Sequence, residues 1–209
     1  SGTAHPQHVR QSGGPRGVVA LPRGIAGRLK APGKRNLCND RVDYRQQVIR
    51  SLKPTLSADL ALSFKHHLSD QWYDLHNPEQ TKTPMTVKFA TGRQDFPPNL
   101  DALKIQQVLM YFSRADGKSF EVPVSQFRFT ERGAAGPVGG AATSIDGAIS
   151  TRRGNGGTWA SSFIGKVPLG EWELVLPNTK PMRDRFGDED IDDILFVITY
   201  SGRTPDWPA

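Results

Sequence analysis

The stretch Ile194-Leu195-Phe196-Val197-Ile198-Thr199-Tyr200 constrains this chain more than any other feature. Ile194, Phe196, Ile198 and Tyr200 form one face of a strand, and Leu195 and Val197 make the other face apolar as well. A strand that is apolar on both faces belongs in the middle of a sheet. Upstream, Trp172, Leu174 and Leu176 alternate with Glu171, Glu173 and Val175, the period of a half-buried strand. A polar loop with the acidic run Asp188-Glu189-Asp190-Ile191-Asp192-Asp193 separates the two.

Strand patterning continues towards the N-terminus. Leu60, Leu62 and Phe64 alternate with polar or small neighbours, as do Met85, Val87 and Phe89. Between them, residues 70–84 read as a turn-rich loop carrying Trp72, Tyr73 and Leu75. Ile105, Val108, Leu109 and Phe112 have helical spacing, but Asp116-Gly117 is a two-residue hairpin signal. The reading is therefore a strand over 103–113 paired with 119–124. Pro123 lacks a ladder donor and predicts an edge position. Phe127 and Phe129 mark one more strand, and 148–150 another, while Trp159, Phe163 and Trp172 are expected core anchors. Residues 41–52 fit a short helix stopped by Pro54. Many short strands without a long helix predict an all-β fold, an antiparallel β-sandwich with a disordered basic N-terminal tail. Residues 1–50 are assigned to the tail or linker and 51–209 to the sandwich domain.

The formal net charge of +6 is unevenly placed. Residues 1–39 hold seven bases and no acid, which leaves twenty bases against twenty-one acids elsewhere. The basic character belongs to the tail and says little about the partners of the folded part. The tail is rich in Gly, Pro, Arg and Ser and buries too little to offset its ordering entropy. It interleaves no aromatic residues for base stacking, so nucleic-acid binding is not expected. Cys38 is the single cysteine, which excludes an internal disulfide. No apolar run reaches the ~20 residues of a membrane helix, and no signal-peptide core is present. The first residue is Ser1, as expected of a fragment or a processed form.

Catalytic patterns are sparse. His66, His67, Asp70, Asp74 and His76 match no metal-ligand spacing. The acidic run departs from the calcium-loop template, because Gly187 precedes it and Ile191 interrupts it; it reads as a solvated loop that guards the next strand. Asn155-Gly156-Gly157-Thr158-Trp159 lacks the aspartate of a sialidase aspartate box. No nucleophile elbow, phosphate loop or dinucleotide glycine pattern occurs. The expectation is a module that is not an enzyme and uses no cofactor or metal.

Four blocks carry a family likeness: SDQWYDLHNP (69–78), DFPPNLDALKIQQVLMYFSRADG (95–117), GTWASSFIGKVPLGEWELVLP (157–177) and IDDILFVITYSGRTPDW (191–207). In order and wording they resemble the C-terminal region of A subunits of insecticidal Tc toxin complexes and related toxin-like proteins. The resemblance spans about residues 57–207 and stops at the tail. It implies a β-sandwich at the end of a pentameric A subunit. There it would dock the B-type propeller and shell subunit of the toxin-carrying component. Lacking the channel segments, this stretch would not insert into a membrane, and a pentamer would form only within a full-length A subunit. The implied setting is a secreted or cell-surface toxin complex. Trp72, Tyr73, Arg203, Asp206 and Trp207 are the candidate partner contacts, since aromatic and arginine side chains offer much contact area or forked hydrogen bonding. A carbohydrate-binding β-sandwich that uses exposed Trp or Tyr platforms is the alternative.

Overall fold

The computed structural model describes residues 55–77, 79, 85–118 and 120–205. They all lie in the second of two units into which the chain divides, Arg45–Ala209. The tail, Cys38 and the helix expected over 41–52 lie outside the described residues, as do Asp206 and Trp207.

The fold is all-β, as expected. Among the described residues eight strands run in order: β1 Thr55–Ser63, β2 Met85–Thr91, β3 Asp101–Arg114, β4 Pro123–Glu131, β5 Val138–Thr143, β6 Ala148–Ser150, β7 Gly170–Leu176 and β8 Ile191–Arg203. They form two antiparallel four-stranded sheets, ordered β1-β8-β3-β6 and β2-β7-β4-β5. Short helices punctuate them: α1 Phe64–His67, α2 Ser69–His76, α3 Gly157–Phe163 and α4 Lys180–Gly187. The two-faced apolar strand is β8, and it is internal to the first sheet, between β1 and β3.

The sheets meet through aromatic rings. Phe196 of β8 lies 5.0 Å from Trp172 of β7, 5.4 Å from Phe127 of β4 and 5.2 Å from Phe89 of β2, all centroid to centroid. Phe129 stacks on Trp172 at 4.0 Å. Phe163 closes the cluster from α3, edge-on to Trp172 at 5.5 Å, and Trp159 packs on Phe127 at 4.8 Å. Offset and edge-to-face pairs of this kind add to what area burial alone supplies. The polar ends are satisfied. The Trp172 indole N–H donates to Thr91 Oγ1, which donates in turn to the Pro168 carbonyl, and the Trp159 N–H donates to the Gly140 carbonyl.

The mixed spacing in 103–113 has a structural cause. Leu103, Ile105, Val108, Met110 and Phe112 are buried, so the period of two skips once, between Ile105 and Val108. In the ladder with β8, Ile105 opposes Tyr200 and Gln107 opposes Thr199. Gln106 is the extra residue of a β-bulge, and its amide donates to Ser201 Oγ at 2.8 Å. A bulge changes the parity of the inward face and so imitates an i, i+3 step.

Three expectations are corrected. First, 103–113 does not pair with 119–124. The Asp116-Gly117 turn exists, with Gly117 at φ 68° and Gly117 N–H donating to the Arg114 carbonyl, but the chain beyond it crosses to the other sheet. There Val122 N–H donates to Ser144 Oγ, and Gly147 N–H donates to the Phe120 carbonyl. Second, Pro123 is not on an edge strand. It is the first residue of β4, which runs between β7 and β5, where a missing donor does least harm. Third, the expected loop after residue 70 begins as helix α2. Leu68, Trp72 and Leu75 stand at i, i+4 and i+7, a signal masked by the polar residues between them.

Truncating Trp172 to alanine leaves a cavity where both sheets and α3 meet. The expected loss is about 3–5 kcal/mol of unfolding free energy, read from urea denaturation. A loss below about 1 kcal/mol would mean that the cluster does not hold the sandwich together.

Candidate functional site

At the end of the sandwich where β1 leaves and β8 enters, α1 and α2 lie beside the α4–β8 loop. Leu68 is shared between the helices: its N–H reaches the Phe64 carbonyl, and its carbonyl accepts the Trp72 N–H. Phe64 is fully buried and anchors this corner against Phe89 at 5.3 Å. One face of α2 turns inward. Trp72 packs on His76 at 4.7 Å and edge-on to Phe186 of α4 at 5.9 Å, and His76 meets Phe186 at 5.3 Å. His76 Nδ1 donates to the Trp72 carbonyl at 2.7 Å. Tyr73, one residue further round the helix, is 72% exposed.

Trp72, Tyr73 and His76 line a groove of about 430 Å³ together with Lys65, Ser69, Glu189, Ile191 and Asp192. Its floor is aromatic and its rim is acidic. Lys65 reaches across the rim to Asp192 at 2.6 Å. That hydrogen bond to Asp192 raises the Lys65 ammonium above its ordinary value, and the charge of Asp192 adds to the effect. Asp193 is turned away from the groove and accepts the backbone N–H groups of Lys65 and Ile194. Asp190 faces Arg114 at 3.6 Å. The acidic run is therefore more than a solvated loop: its last residues open β8 and tie α1 to it.

The structure brings Trp72 and Tyr73 together on α2 and sets Arg203 far from them. Arg203 ends β8, opposite Thr55 and Asp101, whereas the groove sits at the start of that strand. Twelve residue steps of β-strand separate the two by roughly 40 Å. The histidines and acids near α1 and α2 also disperse. His67 Nδ1 contacts Ser63, and among the described residues no group of three or more His, Cys, Asp or Glu is placed to hold a metal ion. Lys65 is a groove residue that the sequence reading did not single out, and Glu189 and Asp192 entered it only as members of the acidic run; no spacing in the sequence places them beside α2.

A second hollow, of about 410 Å³, lies over the outer face of the second sheet. Lys88, Glu173 and Arg128 stand side by side there on β2, β7 and β4, with Glu173 3.2 Å from Lys88 and 3.3 Å from Arg128. The rings of Phe89 and Trp172 beneath it are buried and give no exposed stacking platform.

No family model and no curated protein matches the chain. Among solved structures it is similar to TcdA4 of Morganella morganii, at 14% identity and a TM-score of 0.44, covering 79% of this chain and 8% of that one. It is also similar to TcaA–TcaB of Yersinia pseudotuberculosis, at 15% identity and a TM-score of 0.42, covering 80% of this chain and 11% of that one. The chain thus spans about a tenth of the length of either.

Replacing Asp192 by asparagine removes the anion that faces Lys65. The Lys65 ammonium is then expected to titrate at lower pH than in the native protein, followed by NMR of its side chain. In the native chain the Lys65–Asp192 link is whole below the ordinary lysine range and weakens as pH rises through the raised value. An unchanged Lys65 titration would mean that the 2.6 Å contact is not kept in solution.

Proposed function

We propose that this domain is a non-catalytic docking module of a Tc-like toxin complex, which uses the α2 groove to hold a B-type propeller subunit. The observation that carries the reading is the placement of Tyr73. A large aromatic side chain stands 72% exposed on a helix whose Trp72 and His76 pack against Phe186 of α4. A rigidly based, exposed aromatic beside a groove is the anatomy of an interface anchor. The four sequence blocks that resemble Tc A subunits supply the identity of the partner, and the first of them contains α2 itself.

Docking of this kind requires no bond-making. Each domain would contribute a modest patch. Five copies in one assembly would gain avidity without any new contact, provided that all engage together. A single domain is then expected to bind weakly, and a linked array strongly. Arg203, at the opposite end of β8, would belong to a separate part of the footprint rather than to the groove.

Tyr73→Ala tests the reading cleanly, because the side chain is exposed and its loss leaves the core intact. Binding to a purified B-type propeller subunit is expected to weaken about tenfold, measured by biolayer interferometry with the domain arrayed on the sensor. The melting temperature should not move. Equal binding by native and variant protein would remove the groove from the interface. Saturable glycan binding by the isolated domain, lost in the same variant, would favour the carbohydrate-binding alternative.

A further inference from the structure

Among the described residues, two four-stranded sheets present four edges, and on three of them side chains from outside the strand cap the backbone near its middle or end. On β2, the Gln71 amide accepts from Lys88 N–H and donates to the Lys88 carbonyl, standing in for a neighbouring strand. On β5, Thr158 and Trp159 of α3 donate to the carbonyls of Ala141 and Gly140. On β6, Asn155 accepts the Ser150 N–H and donates to the Ala148 carbonyl. Folded proteins blunt strand edges because a free edge is a template for another chain.

β1 is the exception. Among the described residues, a side chain reaches its backbone only at the last position, where His67 meets Ser63. Its nine residues pair with β8 in unbroken register, without a bulge, and contain neither proline nor lysine. The side chains that point to the core side confirm the opening. Ala58, Leu60 and Leu62 pack on the core yet stay only partly buried, and Leu56 remains 40% exposed.

We propose that β1 accepts an extended segment of a partner protein as a fifth strand of the first sheet. Backbone hydrogen bonds would supply the affinity, and alternate side chains the specificity. Apolar residues of the added strand would lie beside Leu56 and Leu60. Asp59, at the centre of β1 on the solvent face, has no ion-pair partner among the described residues, so the matching position of the partner carries a basic residue. The same charge argues against a second copy of this chain. In the antiparallel register that pairs all nine residues, Asp59 would oppose its own counterpart, and like charges directly opposed are destabilising. This site is distinct from the α2 groove and does not depend on the docking reading.

The test uses the full chain and a nine-residue peptide that alternates threonine and valine around a central lysine. Hydrogen–deuterium exchange is followed with and without peptide at about 1 mM. Slowed exchange confined to residues 55–63 is expected. Asp59→Lys, at an exposed position, should weaken binding roughly threefold to tenfold, and a central glutamate in the peptide should restore it. No slowing in 55–63, or slowing indifferent to the charge at position 59, overturns the proposal. Full protection of 55–63 without peptide also overturns it, because the edge is then already taken. Mass photometry of the same sample would assign that protection to a second copy, if dimers appear, or to another part of this chain, if they do not.

Discussion

The packing of Phe196 against Trp172, Phe127 and Phe89 is the contact on which the rest of this structure depends. It joins the central strand of one sheet to three strands of the other within about 5 Å of ring separation. Sheets of this kind gain little from hydrogen bonds alone, since unfolded backbone is also satisfied by water. What makes two sheets one body is the apolar area hidden between them. The ring cluster concentrates that burial where β8, β7 and α3 converge, and Thr91 and Gly140 accept the two indole N–H groups, so the burial of tryptophan leaves no orphan donor.

With the interior settled, the chemistry moves to the ends and edges of the sandwich. The helices are too short to stand alone. α2 exists because Leu68, Trp72, Leu75 and His76 find Phe186 and the corner of the sheets waiting for them. Its outward face is then free to carry Tyr73, and the α4–β8 loop supplies an acidic rim opposite. Three edges are capped in part, by Gln71, by Asn155, and by Thr158 with Trp159. Polar side chains that occupy edge backbone groups in this way leave less of a template for another strand, and among the described residues β1 is the edge with the least such cover. Recognition by shape, at a groove and along an edge, needs surface area and complementary charge rather than a cluster of converging titratable groups.

Much of the fold is legible in the amino-acid sequence. β2, β7 and β8 follow the alternation of their residues, and Trp159, Phe163 and Trp172 are buried as expected of core anchors. β1 follows it only as far as Ser63, because Phe64, expected on the strand, instead opens α1. Misreadings fall where a local signal stood in for a long-range one. Asp116-Gly117 does make a tight turn, stabilised by Arg114 and by Lys118 N–H donating to Asp116. A turn sets direction only locally, however, and Ser144, far along the chain, decides that 120–122 lies against 144–147. Gln106 hid the parity of β3 because one inserted residue cannot be distinguished from a helical step without the facing strand. At the candidate site, Trp72 and Tyr73 could be singled out by residue type, while Glu189, Asp192 and Lys65 could not, being brought beside them by the β1–β8 pairing.

The amino-acid pattern by itself determined that the chain builds sheets, that Ile194–Tyr200 is internal, and which rings are hidden. These follow from side-chain period and from the free energy of burying apolar surface, both local properties of the sequence. Only the tertiary structure decided which strands are neighbours, that α2 is a helix, that Arg203 stands far from Tyr73, and that β1 has, among the described residues, a side-chain cap only at Ser63. Those outcomes rest on contacts between residues more than a hundred positions apart, such as Lys65 with Asp192, and no spacing within a short window encodes them.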